Sequence, residues 1–219
     1  MTTVLTDRVV LLAGATSDAG RTVAEAVHAA GATVVATGRD RAKLDALADA
    51  VPGVVTETVD LADEGSVDAL AARLGDTVGR VDGVLHLVGG FRRGEGIPGQ
   101  SDADWAALET SLTALRHVSR AFYTDLVAST AGRLAIVSST SVAKPNRNTA
   151  NYVTVKAAAE AWTGAVAQGF GVDAPQRAAA VIFAVSALAG LESQLAERFV
   201  GLWAEDAADL NGSRHVLSA

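Results

Sequence analysis

The chain contains no cysteine, which excludes disulfides, thiol nucleophiles and cysteine-based metal centres; no metal ligand is assigned on any other ground. Positive charge is also scarce. Lys and Arg number 18 against 25 Asp and Glu, for a net charge of -7, and the pI is near 5.0. Arg92 and Arg93 adjoin but stand alone. A nucleic-acid partner is therefore not expected, because a phosphate-binding surface needs a clustered cationic excess. Long apolar runs are missing too: the run at 178–185 falls far short of the ~20 residues that span a bilayer. Residues 1–7 are polar and lack the basic start and apolar stretch of a signal peptide, so no membrane association and a cytoplasmic location are the default expectation. Four prolines and 21 glycines, scattered without a period, give no sign of a repeat or a flexible linker.

What is present is a chain of 219 residues, 49% hydrophobic, enough for one substantial core and a single domain over 1–219. Short β-rich apolar runs alternate with longer Ala-rich amphipathic stretches, the rhythm of βαβ units. Strands are expected near 8–13, 33–37, 54–59, 83–88, 133–137, 179–184 and 213–217. Helices are expected near 19–30, 41–50, 64–78, 101–130, 149–169 and 191–204, the fourth interrupted near Ser111. The fold class is thus α/β, a doubly wound parallel seven-stranded sheet of the Rossmann type with helices on both faces. Right-handed crossovers put all the strand carboxyl ends along one edge, where such sheets bind ligands.

Three segments at that edge carry chemistry. The first is the turn Gly14-Ala15-Thr16-Ser17-Asp18-Ala19-Gly20, which leads into a helix. Backbone there can approach a pyrophosphate while the helix start offers free N–H groups, although glycine also serves simply to turn tightly. The second is Gly38-Arg39-Asp40-Arg41 after the second strand. The third joins Ser139, ending the fifth strand, to Tyr152 and Lys156, which lie four apart on a helix and so share a face.

Together these residues make the chain resemble the short-chain dehydrogenase/reductase family over essentially its whole length, with Ser139 and Tyr152 at the family's spacing. The resemblance implies that Gly14, Thr16, Ser17, Asp18, Ala19 and Gly20 hold the cofactor pyrophosphate, with Asp18 where the family has a glycine. Asp18 alternatively caps the following helix. Arg39 stands where an arginine suits a ribose 2′-phosphate, which favours NADP(H) over NAD(H); the alternative is that Arg39 and Arg41 are solvated charges opening a helix. Asp60 and Leu61 match the adenine-binding acid and its neighbour, unless Asp60 caps the helix beginning near Asp63. Gly89 keeps space for the cofactor, and His86 reads as a buried, hydrogen-bonded strand residue.

By the same resemblance, Tyr152 is the acid/base, Ser139 holds the carbonyl oxygen, and Lys156 lowers the tyrosine pKa and binds the nicotinamide ribose. Free tyrosine titrates near ~10 and needs a neighbouring cation to work at neutral pH. Ser111 occupies the place of the family's relay asparagine, so slow turnover and an activity preserved or raised by Ser111→Asn are expected. The family's Pro-Gly and long substrate segment are reduced to 184–190, leaving an open pocket and the loop 91–100 as the substrate contact or, equally, a flexible surface loop. Trp105, Trp162 and Trp203 read as packing or subunit-interface residues. The implied protein is an NADP(H)-dependent oxidoreductase acting on a small-molecule carbonyl or alcohol, as a homodimer or homotetramer paired through its two long helices. The competing reading keeps the fold without redox activity, as a nucleotide-sensing or scaffold protein or a non-redox enzyme.

Overall fold

The computed structural model describes residues 4–218. Seven parallel strands form one sheet in the order β3-β2-β1-β4-β5-β6-β7. They are β1 (Val9–Ala13), β2 (Thr33–Gly38), β3 (Val55–Thr58), β4 (Gly83–His86), β5 (Gly132–Ser139), β6 (Ala178–Val185) and β7 (Arg214–Val216). β3 and β4 are shorter than the runs of apolar residues suggest, and β5 is longer. The order in which strands are added reverses between β1 and β4, which places the switch point beside the glycine turn at 14–20.

The helices are α1 (Asp18–Ala29), α2 (Arg41–Ala50), α3 (Glu64–Thr77), α4 (Asp102–Ala121), α5 (Tyr123–Ala128), α6 (Ala150–Asp173), α7 (Glu192–Gly201) and a short α8 (Ala207–Leu210) absent from the sequence expectation. Side chains alternate across each strand, so both faces of the sheet are buried. Val10, Leu12, Val34, Leu85, Ala135 and Val181 pack with Val23 and Val27 of α1 and Leu195 and Phe199 of α7. Leu11, Val35, Val84, Leu134 and Ile136 pack on the other side with Leu70 and Leu74 of α3, Leu115 of α4 and Val166 of α6.

One expectation about the helices is overturned. The long fourth helix is not interrupted near Ser111; α4 runs unbroken to Ala121 and the break falls at Phe122. The Ser111 hydroxyl donates to the Leu108 carbonyl at 2.7 Å within its own turn, so it leaves the helix intact, as back-bonding serines do. Phe122, 1% exposed, is anchored in the core where the chain turns into α5.

Trp203 packs edge-on to Phe199 (5.3 Å) and donates to the Ala131 carbonyl at 2.9 Å. Trp162 joins α6 to α4 through the Ser119 hydroxyl at 2.9 Å, with Arg116 over its ring. Away from the ligand-binding edge, buried Arg133 donates to the carbonyls of Leu202, Gly132, Arg177 and Glu205 at 2.9 to 3.0 Å, pinning the turn after α7. Burial lowers its pKa to about 10, helped by nearby Arg8, and the carbonyl set stands in for lost hydration.

Candidate active site

Two adjoining cavities open at the carboxyl edge of the sheet. The first, of about 400 Å³, is lined by Gly14, Thr16, Ser17, Arg39, Asp60, Leu61 and Gly89 among the residues read from sequence, together with Gly38 and Lys43. Its floor depends on missing side chains. Gly14 has φ +89, and a Cβ there would sit 2.8 Å from Val88 Cγ2. A Cβ on Gly20 would collide with the Ala15 carbonyl, and one on Gly38 would come within 2.6 Å of Thr16 Cγ2. Each therefore permits a close approach of backbone that alanine would block.

Asp18 does not cap α1. Ser17 does, its hydroxyl accepting from the Gly20 N–H at 3.2 Å, because it stands one residue ahead of the first helical turn. Asp18 is the first helical residue, exposed, and lines a neighbouring hollow with Arg21 rather than the main cavity. Ala19 is buried beneath the turn, 4% exposed, and supports it without lining the cavity. Asp60 is likewise not the cap of α3. Asp63 fills that role, accepting from the Ser66 N–H at 2.7 Å, and the Ser66 hydroxyl together with that N–H holds its carboxyl below the usual range. Asp60 instead accepts from the Ala62 N–H at 3.0 Å and remains on the cavity wall.

Arg41 pairs with Asp45 along α2 at 2.8 Å, as a helix-surface charge does, whereas Arg39 lines the cavity. Lys43, one turn into α2, adds a second cation to that wall and was missed by sequence reasoning, which stopped at the strand end. Its signal was available: a lysine in the first turn of the helix that follows the Arg39 turn faces the same edge.

The second cavity, of about 610 Å³, shares Ser17, Leu87, Val88 and Gly89 with the first. Tyr152 and Lys156 both line it, one turn apart on α6. The Lys156 ammonium donates to the Val137 carbonyl at 2.8 Å, and a Cβ on Gly89 would lie 3.4 Å from its Nζ. Burial lowers the Lys156 pKa to about 8, while Glu160 one turn on pulls the other way. At neutral pH the group is therefore still mainly a cation. Phe91 packs edge-on against Tyr152, centroids 5.1 Å apart at 73°, and forms an exposed lip.

Ser139 is at the end of β5 and 1% exposed, with its Oγ accepting from the Ser141 N–H at 3.1 Å. A hydroxyl so engaged keeps its own proton to donate. Its neighbour Ser138 is the serine that lines the cavity, with its hydroxyl on Glu160 at 2.6 Å. Arg214 of β7 holds Glu160 at 3.2 Å and the Ser139 carbonyl at 3.1 Å, fixing this strand end. Ser111 lines neither cavity: its hydroxyl is turned to Leu108, and its carbonyl accepts from His86 Nε2 at 3.1 Å. His86 is buried and hydrogen-bonded as read from sequence, yet it also lines the second cavity.

The loop 91–100 is tied down rather than loose. Asn148, just before α6, accepts from Gly94 N–H on its carbonyl and from Gly96 N–H on its side chain, both at 2.9 Å. Gln100 accepts in turn from Asn151 N–H at 3.0 Å. Opposite it, 185–189 supplies Val185, Ser186, Ala187, Leu188 and Ala189 to the cavity in one short connection. No helix among the described residues is long and apolar enough to cross a membrane.

Comparison with known proteins agrees with this geometry. The solved chains include a Shigella flexneri protein described as a short chain dehydrogenase and complexed with NADP, which superposes with a TM-score of 0.88 at 22% identity, covering 99% of both chains. An NAD+-bound xylitol dehydrogenase superposes at 0.86 with 16% identity, covering 97% of this chain and 98% of its own. These likenesses concern the fold. In sequence, L-xylulose reductase of Bos taurus is 47% identical over 79 residues, 36% of this chain and 30% of its own length. The dehydrogenase/reductase SDR family member 7B of Bos taurus is 32% identical over 141 residues, 60% of this chain and 43% of its own. The chain thus matches less than half the length of these two curated relatives. The sequence model of the short chain dehydrogenase family, however, matches residues 8–190, and on that match, with the seven-stranded sheet and the glycine turn in place, the chain belongs to the short chain dehydrogenase family.

Proposed function

We propose that the protein is an NADP(H)-dependent oxidoreductase that reduces a small-molecule carbonyl, or oxidises the corresponding alcohol, with Tyr152 as acid/base. The observation that carries this reading is the shared wall of the two cavities: Ser17, Leu87, Val88 and Gly89 belong to both, so a dinucleotide held by the first would extend toward Tyr152 and Lys156 in the second. The residues present fit that group. Gly14, Gly20 and Gly38 leave a cradle that a Cβ would fill, and Ser17 and Thr16 stand at the start of α1 with its positive dipole end. Arg39, with Lys43 beside it, would take a ribose 2′-phosphate, and Asp60 with Leu61 would take the adenine. Asp18 stands outside the main cavity, which supports phosphate binding despite its charge.

When bound, the reduced nicotinamide supplies the hydride to the carbonyl carbon. Tyr152 gives its phenolic proton to the carbonyl oxygen as negative charge develops there, so a C=O bond becomes an alcohol and the tyrosine is left as phenolate. Lys156, cationic at neutral pH, lowers the energy of that phenolate. Ser139 keeps a hydroxyl proton that the bond from Ser141 leaves free, but it lies behind Ser138, which lines the cleft, so the oxygen-holding role read for it rests on the family resemblance. Oxidation runs the same groups in reverse. The second cavity is walled by Leu87, Val88, Phe91, Val185 and Leu188 and carries no acidic side chain among its described lining, which suits a neutral, largely apolar carbonyl compound.

The reading extends to the whole molecule as one domain in the cytoplasm. It also includes a homodimer or homotetramer through α4 and α6, around a groove lined by Ser119 and Arg120 of α4, Tyr123 at the start of α5, and Trp162 and Gly169 of α6. The test is a titration of NADPH and NADH followed by nicotinamide fluorescence, then turnover of a panel of aryl and alkyl ketones. NADPH is expected to bind, and Tyr152→Phe to retain binding while losing about 100-fold or more in kcat. Absence of binding by either dinucleotide at millimolar concentration would sink the proposal.

A further inference from the structure

His86 ends β4 and is 5% exposed. Its Nε2 lies 3.1 Å from the Ser111 carbonyl, which can only accept. That nitrogen therefore carries the ring proton, and Nδ1 is left with a lone pair. Nδ1 is buried and has no hydrogen-bond partner among the described residues. A buried acceptor without a donor is rare in native folds and marks a place where water or a ligand is held.

A matching surplus of donors lies in the same cavity. The Lys156 ammonium has three N–H groups, and one is placed on a protein acceptor, the Val137 carbonyl at 2.8 Å. Both side chains line the one cleft, and Nζ rests against Gly89, on the segment that continues β4 beyond His86. The two side chains form, in this cavity of about 610 Å³, the kind of polar corner that holds ordered water, and the lysine's charge acts on the ring.

We propose that His86 is a positioning residue for Lys156: its Nδ1 accepts from a water to which the Lys156 ammonium also donates, so that a neutral imidazole supports the charged lysine and aims it at Tyr152. The catalytic consequence rests on the oxidoreductase reading; the contact itself does not. Burial, then the lysine's own charge, pushes the His86 pKa down to about 3, so the imidazole acts near neutrality as an acceptor and not as a second cation. The charged and titratable groups facing Lys156 are Glu160 and Tyr152 on α6 and His86 from β4, with Arg214 of β7 clamped onto Glu160. Glu160 alone among them offers a negative charge, and Arg214 and Ser138 already share it.

The chain has three lysines, Lys43, Lys144 and Lys156, so a lysine-labelled protein gives a spectrum of three side-chain signals that can be titrated by NMR without cofactor. Lys156 is expected to titrate near 8 in the parent. In His86→Leu it is expected to fall by about one pH unit, a tenfold weaker hold on its proton. His86→Gln, whose amide can donate to Ser111 and accept from the water, is expected to restore most of it. A folded His86→Leu in which the Lys156 midpoint moves by less than about 0.3 pH unit overturns the proposal. Should the leucine variant not fold, histidine-labelled parent protein decides: an Nδ1 resonance that follows the Lys156 titration supports the contact, and one indifferent to it refutes it. In turnover, the alkaline limb of the pH profile should shift down with the lysine while KM for NADPH is unchanged. A protein that binds no dinucleotide would sink the oxidoreductase reading and leave the NMR result standing by itself.

Discussion

On the NADP(H) reading proposed above, cofactor choice rests on single charges at the strand edge, Arg39 and Lys43. Both line the first cavity, and neither faces an acid as close as the one that engages Arg41. A guanidinium meeting a phosphate makes charge-assisted, often bidentate bonds, each contributing about 1.5–3 kcal/mol. Arg39→Asp is therefore expected to weaken NADPH at least tenfold and to strengthen NADH, measured as the ratio of the two dissociation constants. A ratio unchanged from the parent would remove Arg39 from the 2′-phosphate site and leave Lys43 as the discriminating cation.

At the scale of elements, α4 decides what position 111 can do. The helix is continuous there, with Ser111 buried, its hydroxyl on Leu108 and its carbonyl on His86. The larger amide of asparagine has to be fitted into a packed turn, which costs about 1–3 kcal/mol in overpacking. Ser111→Asn is thus expected to lower Tm and to leave kcat no higher, contrary to what the resemblance alone implies. Thermal unfolding and steady-state rates together check this, and a variant both as stable and faster would show that α4 opens at Ser111 in solution. The loop 91–100 and the start of α6 form a second such unit. Asn148 ties them together through its carbonyl and its side chain, so Phe91 is held against Tyr152 by bonds made some distance from either ring.

Over the whole molecule, the site is maintained at a cost in stability. Lys156 titrates at about 8 in the folded chain against 10.5 when unperturbed. Between these values the unfolded chain holds a proton that the folded chain has released, so this residue makes stability rise with pH across that window. Below pH 8 the buried ammonium carries its full penalty. Lys156→Met is therefore expected to raise stability at pH 7 by about 2 kcal/mol, several degrees in Tm, and to abolish turnover. The gain should shrink as pH approaches 10.5. Unfolding scans at pH 7 and pH 10 test this, and a methionine variant no more stable than its parent at pH 7 would mean that the lysine's penalty is offset elsewhere. His86 acts in the acid range: with its pKa lowered from 6.5 to about 3, it contributes stability present above pH 6.5 and lost as pH falls toward 3.

What the sequence by itself determined is what depends on local spacing. The alternation of short apolar runs with amphipathic stretches specified seven parallel strands and their flanking helices, because side-chain period follows backbone geometry. The four-residue interval likewise put Tyr152 and Lys156 on one face of α6, and the glycines of the first turn declared a close approach. Other features were decided only by the folded structure. Ser17 and Asp63, not Asp18 and Asp60, took the caps, a matter of where each helix actually starts. Lys43 joined Arg39 at one wall, Ser111 was turned inward, and His86 was left with a nitrogen that no neighbour satisfies. The caps and the inward turn of Ser111 are three-residue contacts that depend on where each helix starts, whereas the His86 bond to Ser111 crosses 25 residues and is set by which elements pack together.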